Sequence, residues 1–244
     1  MRRITLAIIM VAAVFAAQAQ DDNISLEGSG KIITKNVDVK SFNGIQVKGI
    51  YELVLTQGSQ EGVRLEADDN LMYLFEVKND GNTLVISMPL LEGKNHHINL
   101  KGGDHKKGQH LKAYITFKTL KNLDAALIGG INSSATVKLD AFELDSKNVG
   151  NITLAFTATK LTLNNKGVGN ITLNGSVPDA VVVNAGVGSI KAEGLEVQNM
   201  KIENTGVGSA TVNVVRDLKV RDSFLGKVKN TGAGKTRKMD GEEI

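Results

Sequence analysis

The chain has 244 residues, with 29 lysine and arginine side chains against 26 aspartate and glutamate side chains. This near-neutral balance lacks the electrostatic footprint of a nucleic-acid-binding protein, so no nucleic acid is expected as a partner. The chain contains no cysteine, which excludes disulfides and leaves its stability to packing and hydrogen bonds.

The first residues have the pattern of a signal peptide. Arg2 and Arg3 precede an apolar run over 4–17, and Ala17-Gln18-Ala19 provides a small-x-small cleavage site. The run is short for a bilayer span, and an uncleaved anchor is the alternative. We predict a signal peptide over 1–19 and an exported mature chain in the periplasm or at the cell surface. Without these two arginines the mature chain has 27 basic and 26 acidic side chains. It contains no second long apolar stretch, so no further transmembrane segment is predicted.

The first half of the mature chain is rich in strands but is not periodic. Residues 20–35 are predicted to be a leader, and alternating apolar residues over 36–120 predict an irregular, strand-rich half. A helical turn is expected over 71–75. The sequence Asn79-Asp80-Gly81-Asn82 predicts a hairpin turn. No linker separates this half from the next, which favours one continuous β domain over 36–238.

The second half, 121–238, contains a repeat marked by a small residue followed by Val-Gly. The second glycine recurs at intervals of 19, 19, 20 and 18 residues, at Gly150, Gly169, Gly188, Gly208 and, more weakly, Gly226. Alternation within each copy and a period near 20 between copies predict a β-solenoid. Each coil is expected to hold two strands of four or five residues. Glycine suits the corner between them because it adopts positive φ without a Cβ clash.

Fixed offsets from these glycines define the columns of the predicted stack. Apolar residues recur eight, six and one residue before the glycine and two residues after it, and these are expected to form the core. A polar residue recurs four residues before the glycine. Stacking at roughly 4.8 Å would let these polar side chains form hydrogen bonds along the column. The predicted ladder consists of Ser146, Asn165, Asn184, Asn204 and Asp222.

The glycine pairs do not fit other glycine-rich motifs. A dinucleotide fingerprint needs a third glycine and a following helix, and a calcium-binding nonapeptide needs aspartate after the glycine. Gly28-Ser29-Gly30-Lys31 lacks the spacing of a P-loop. No cofactor is therefore predicted.

The order of these segments resembles a known family. The segments are Ser41-Phe42-Asn43-Gly44-Ile45, Leu53-Val54-Leu55-Thr56-Gln57-Gly58, Glu66-Ala67-Asp68-Asp69-Asn70-Leu71, Gly81-Asn82-Thr83-Leu84-Val85-Ile86 and the glycine-anchored coils. Together they are similar to the putative auto-transporter adhesin, head GIN domain family over roughly 36–225. The resemblance implies a right-handed parallel β-helix and an exported envelope protein of a Gram-negative bacterium. It implies no catalytic residue, because the family carries none that is known.

All four histidines fall in one lysine-rich segment, 94–110. Its candidate metal ligands are His96, His97, Asp104, His105 and His110. Histidine and aspartate are suitable ligands for a transition metal, but the spacing matches no known ligand set and five nearby lysines would repel a dication. We therefore assign no metal and interpret the segment as a solvated basic loop.

The acidic residues of the coils offer little for catalysis. A polysaccharide-processing enzyme needs clustered carboxylates, and only Glu193 and Glu196 lie close together in the sequence. The end of the array is basic, with Lys227, Lys229, Lys235, Arg237 and Lys238. It is interpreted as a polar cap on the last coil, with contact to an anionic envelope surface as the alternative.

The sequence therefore predicts an all-β protein with a parallel β-solenoid and an irregular N-terminal part. The predicted function is non-enzymatic: adhesin-like binding or scaffolding through the faces of the solenoid. Its partner would be a surface ligand, a glycan or an envelope protein, and the sequence indicates no oligomeric state. A polysaccharide lyase or hydrolase, and a periplasmic sensor or assembly factor, are the alternatives.

Overall fold

The protein is described by a computed structural model over residues 23–91, 97–100 and 110–239. Its strands are β1 (Asn23–Leu26), β2 (Ile32–Val37), β3 (Gly44–Gly49), β4 (Glu52–Gln57), β5 (Gly62–Asp68), β6 (Glu76–Asp80), β7 (Thr83–Ser87), β8 (His97–Leu100), β9 (Leu111–Phe117), β10 (Asn122–Leu127), β11 (Ile131–Ser133), β12 (Val137–Lys138), β13 (Ala141–Ser146), β14 (Ile152–Thr157), β15 (Lys160–Asn165), β16 (Ile171–Asn184), β17 (Ile190–Asn204), β18 (Ala210–Asp222), β19 (Val228–Asn230) and β20 (Lys235–Lys238). The described helices are two 3-10 turns, Met72–Leu74 and Pro89–Leu91. None within these ranges is long and apolar enough to cross a membrane.

The strands stack into a β-solenoid of about six turns, which confirms the predicted fold. One row, the first face, runs through β7, β3, β10, β13, β15 and the C-terminal parts of β16, β17 and β18. The other row, the second face, runs through β9, β4, β11, β14 and the N-terminal parts of the same three long strands. Within both rows neighbouring strands are parallel, so equivalent residues of successive coils lie side by side.

Three of the four apolar columns form the core, as the sequence predicts. Around Gly150, for example, Phe142, Leu144 and Ile152 are all buried. The strands are longer than the expected four or five residues: β16, β17 and β18 have 14, 15 and 13 residues. The second strand of one coil continues into the first strand of the next through shifts in register, so the chain bends without breaking the strand.

The fourth apolar column does not belong to the core. Val149, Val168, Val187 and Val207, directly before the corner glycines, are 46 to 49% exposed. The alternation explains the difference: Asn148, directly before Val149, points inward and is buried, so the valine points outward. At each corner, the buried position is therefore occupied by an asparagine or a glycine, and the exposed position is occupied by the apolar residue.

The corner glycines stack directly on one another. Gly150, Gly169, Gly188 and Gly208 have φ between 125° and 134°, a region in which other residues are strained. A Cβ on any one of the four would clash with the backbone of the glycine one coil earlier. Gly129, in the first coil of this series, has φ of 157° and precedes Gly150 in the column.

Gly226 differs from the four corner glycines with which the sequence grouped it. Its φ lies outside the left-handed region, and a Cβ there would meet the carbonyl oxygens of Asn204 and Gly206 instead of Gly208. The preceding residues account for this. The earlier coils have Gly167, Gly186 and Gly206 at a position too close to the neighbouring backbone for any side chain, whereas the last coil has Phe224. The last corner therefore has a different backbone conformation, and Phe224 is 89% exposed.

The polar column contains a hydrogen-bonded ladder of three asparagines. Asn165 Nδ2 donates to Asn184 Oδ1 at 2.7 Å, and Asn184 Nδ2 donates to Asn204 Oδ1 at 2.6 Å. All three are buried, and Asn165 and Asn184 also accept hydrogen bonds from the corner amides of Gly167 and Gly186. Ser146 and Asp222 lie in register with the ladder but bond elsewhere, Ser146 to the Asn148 amide and Asp222 to Lys238.

The N-terminal end of the stack is closed by antiparallel strands. β6 pairs with β7, β5 with β9, and β2 with β5, all antiparallel. The hairpin turn between β6 and β7 and the helical turn at Met72–Leu74 fall where the sequence predicts them. Because β2 begins at Ile32, the sheet extends into the stretch 20–35 that the sequence assigned to a leader. β1 pairs with β8 in a separate two-stranded parallel sheet.

Candidate functional site

The first face carries a polar groove that crosses several coils. Three adjoining depressions share Asp124, and two of them also share Asp145. The two that meet at Lys147 have volumes of about 470 and 580 Å³, within the usual range for small-ligand sites. The groove is therefore centred on β10 and β13, where the parallel strands hold its side chains in fixed rows.

Asp124 and Asp145 are stacked carboxylates. They are register partners on neighbouring parallel strands, so their backbones lie roughly 4.8 Å apart. Gln46 Nε2 on β3 donates to Asp124 Oδ2 at 3.2 Å, and Asn164 Nδ2 on β15 donates to Asp145 Oδ1 at 2.9 Å. Each carboxylate is thus oriented by an amide from the adjacent coil, and the row extends over four strands.

Lysines surround this carboxylate pair. The lysines that line the three depressions are Lys48, Lys78, Lys121, Lys147, Lys160 and Lys166. The groove therefore presents carboxylate acceptors, amide groups and ammonium donors on a rigid sheet. That combination can form hydrogen bonds with a polyhydroxylated ligand and can pair with its anionic groups.

Sequence reasoning overlooked Asp124 and the pairing of Asp145 with it, and noted only that Glu193 and Glu196 lie close together in the sequence. The latter are exposed on β17, where the register shifts between Ala192 and Glu196, and they do not line the groove. The signal for the aspartates was present in the sequence. Asp124 and Asp145 both lie five residues before a corner glycine, but this offset emerges only when Gly129 is placed in the column.

Most of the candidate metal ligands lie outside the described side chains. His96, Asp104 and His105 fall outside the described residues, and for His97 only the backbone pairing of β8 is described. His110 Nε2 lies 3.2 Å from Glu66 Oε2. Across 27–91 and 110–239 the acidic and histidine side chains form no group that could hold a metal ion.

His110 belongs to a polar cluster on the N-terminal strands. Glu66 accepts a hydrogen bond from the Tyr114 hydroxyl at 3.0 Å and pairs with Arg64, whose guanidinium lies 3.8 Å from the centre of the Tyr114 ring. Burial acts to raise the pKa of Glu66. The hydrogen bonds from His110, Tyr114 and Arg64 outweigh it and leave that pKa below its ordinary value. Every group in the cluster has a partner, so it fastens β5 to β9.

The basic end of the array is partly neutralised by the coil before it. Arg237 Nη2 lies 2.6 Å from Asp217 Oδ1, and Lys238 pairs with Asp222. The Lys238 hydrogen bond is the largest cause of the lowered pKa of Asp222. Two of the cations thus bind β20 to β18.

Comparison with known proteins agrees with this architecture. The family model described as putative auto-transporter adhesin, head GIN domain matches residues 41–234. No curated protein matches the chain. A crystal structure of a putative adhesin from Bacteroides fragilis is 27% identical, with a TM-score of 0.71, and covers 88% of this chain and 100% of its own.

Two further crystal structures share the fold at lower identity. A putative lipid binding protein from Parabacteroides distasonis has a TM-score of 0.60 at 18% identity, covering 88% of this chain and all of its own. A putative adhesin from Parabacteroides merdae has a TM-score of 0.50 at 21% identity, covering 89% of this chain and all of its own. At these identities the likeness concerns the fold alone.

Proposed function

Because the chain belongs to the putative auto-transporter adhesin, head GIN domain family, we propose that it is an exported, non-enzymatic protein that binds a glycan of the cell envelope or surface. The observation that carries the proposal is the groove on the first face, with Asp124 and Asp145 stacked at its centre. A ligand lying along the solenoid axis would meet a hydrogen-bonding group at every coil. The spacing of roughly 4.8 Å between coils suits an extended, repetitive ligand.

The chemistry of the groove favours a carbohydrate. Sugar hydroxyls both donate and accept hydrogen bonds, and the groove provides carboxylate oxygens as acceptors and Asn164 and the lysines as groups able to donate. The face is already ordered by its coils, so binding costs little conformational entropy in the protein. An envelope protein is the other partner that the sequence suggests.

A glycan array probed with residues 20–244, which contain every described residue, tests the proposal. Binding at physiological salt is expected, and the double variant Asp124→Asn, Asp145→Asn should weaken it. Glu193→Gln, an exposed carboxylate outside the groove, is the matched control and should bind as the wild type. Absence of binding to every glycan would contradict the glycan proposal and leave an envelope protein, or a role as a periplasmic sensor or assembly factor.

The stacked aspartates also support a second candidate, a polysaccharide hydrolase. Retaining glycosidases hold two carboxyl groups about 5 Å apart, close to the distance between neighbouring strands. Against this, each aspartate is held by a neutral amide from the next coil, as in a structural ladder. Release of reducing ends from polysaccharides by the wild type, with loss of release in the Asp124→Asn, Asp145→Asn variant, would favour the hydrolase and overturn the non-enzymatic proposal.

A further inference from the structure

The corner of the coils forms a continuous apolar edge. The apolar edge consists of Ile128, Val149, Val168, Val187, Val207 and Leu225, together with Phe224. Backbone bridges join the members from Ile128 to Val207 in succession, and the Gly208 amide bonds to the Leu225 carbonyl, so each side chain lies beside the next. At roughly 4.8 Å per coil the edge is about 24 Å long. It includes most of the strongly exposed large apolar side chains in the described part of the chain.

The edge is most apolar at its C-terminal end. Phe224 takes the place of a glycine that the three preceding coils keep, and this residue is 89% exposed. Leu225 beside it is 61% exposed, more than any valine of the edge. Lys227 and Lys229 follow directly. The last coil thus combines an exposed aromatic ring with cations, a combination typical of segments that bind at a membrane interface.

The positions that flank the edge are free of acidic residues. Two residues before each member stand Ala126, Lys147, Lys166, Ala185, Thr205 and Ser223, and two residues after each stand Gly130, Asn151, Asn170, Ser189, Ser209 and Lys227. The charged residues among them are three lysines. An apolar line whose directly flanking positions hold only neutral and positive residues is electrostatically complementary to an anionic surface with an apolar interior.

The shape of the edge argues against a second copy of this chain as the occupant. The edge is a convex corner one residue wide, so two rigid copies would touch along a line. Such a contact falls well below the roughly 800 Å² per partner of a standard interface. Two copies would also bring the flanking lysines together, and no position two residues from Ile128, a valine of the edge or Leu225 supplies an acidic group to pair with them. A fluid bilayer, in contrast, can surround a convex edge.

We propose that the apolar edge docks the protein onto a bilayer that contains anionic lipids, with the solenoid axis parallel to the membrane. Phe224, Leu225 and the valines enter the boundary between headgroups and acyl chains, and the lysines face the lipid phosphates. The groove on the first face lies beside the edge and stays in water. The docking mode is therefore separate from the proposed glycan binding, although Lys147 and Lys166 border both surfaces.

Vesicle flotation with residues 20–244 tests the proposal, because this range omits the apolar segment 4–17 that would bind membranes by itself. Binding is expected to vesicles of phosphatidylcholine mixed with phosphatidylglycerol and to fall with rising salt. Vesicles of phosphatidylcholine alone should bind far less. The variant Val149→Thr, Val168→Thr, Val187→Thr, Val207→Thr should bind at least tenfold more weakly, and so should Phe224→Ser. Lys227→Gln, Lys229→Gln, which lie away from the groove, should lose about fivefold per charge.

The control variant is Ile32→Thr, Tyr73→Ser, which removes two exposed apolar side chains outside the edge and should leave vesicle binding unchanged. Threonine keeps the shape and strand preference of valine, and an unchanged melting temperature verifies that the coils are intact. Equal binding to neutral and anionic vesicles, or full binding by the four-threonine variant, would overturn the proposal. The proposal would also be overturned if sedimentation showed a dimer that depends on the edge residues while the protein failed to bind vesicles. If the four-threonine variant loses vesicle binding but keeps glycan binding, the vesicle result concerns the edge alone. The proposal that the groove binds a glycan is then unaffected.

Discussion

The coils and the N-terminal strands are held together by different kinds of contact. In the coils every strand is parallel to its neighbours, and each corner glycine rests on the glycine of the coil before it. At the N-terminal end, antiparallel pairing of β5 with β9 and of β2 with β5 ends the stack. A repeated backbone shape propagates through the coils, whereas the end is fastened by particular side chains, Arg64, Glu66, His110 and Tyr114.

This difference predicts where the protein is sensitive to substitution. In a repeat array each coil is stabilised mainly by its neighbours. A substitution that distorts the backbone of one coil therefore disturbs its contacts with both neighbouring coils. A substitution at the N-terminal end disturbs one set of side-chain contacts. The largest effects are therefore expected at the corner glycines, intermediate effects at the buried ladder, and the smallest at the polar cluster on the N-terminal strands.

Gly169→Ala should have the largest effect. The φ of 129° at Gly169 is strained for alanine, and a Cβ there would lie 2.7 Å from the carbonyl carbon of Gly150. Backbone strain and the clash together should lower the free energy of unfolding by about 3–5 kcal/mol or prevent folding. Denaturant unfolding of the purified chain measures the loss.

The matched control for this substitution is Gly62→Ala at the start of β5. Its φ lies outside the left-handed region, and no atom lies within 4 Å of the added Cβ. Alanine there should change the free energy of unfolding by less than about 0.5 kcal/mol. If both variants were equally stable, the stacking of the corner glycines would not be what fixes the coil geometry.

Asn184→Ala should have an intermediate effect. Asn184 is fully buried and is the middle member of the ladder, so its removal leaves Asn165 Nδ2 and Asn204 Oδ1 without the bonds they make to it. Unpaired buried polar groups and the cavity should cost about 2–4 kcal/mol. Asn151→Ala, which removes an exposed amide that bonds to the Asn170 backbone at 3.0 Å, should cost less than about 1 kcal/mol. A smaller loss for Asn184→Ala than for Asn151→Ala would mean that the buried ladder contributes no stability.

The repeat allowed the coils to be predicted from the sequence. The features that the sequence did not reveal lie where the repeat changes direction, breaks or is weak. Columns at fixed offsets identified the buried residues, but apolar character alone could not show that Val168 points outward, because a corner changes which side of the chain faces the core. The last coil breaks its own pattern at Phe224. The groove depends on Asp124, which belongs to a coil whose repeat signal is weak. At the N-terminal end, the hairpin turn was visible locally, whereas the pairing of β2 with β5 joins segments distant in sequence.

Glu66→Gln should have the smallest effect, and its dependence on pH distinguishes the N-terminal end from the coils. The pKa of Glu66 is lowered in the folded protein from the ordinary 4.5, so its stabilising contribution is present above that value. The contribution is lost as the pH falls through the lowered pKa. The variant should therefore be about 1 kcal/mol less stable than the wild type near pH 7, and this difference should shrink at about pH 3. Glu193→Gln, at an exposed coil position, should show little difference at either pH. Melting curves at both pH values measure the change, and a deficit in Glu66→Gln that stays constant with pH would mean that packing alone holds β5 against β9.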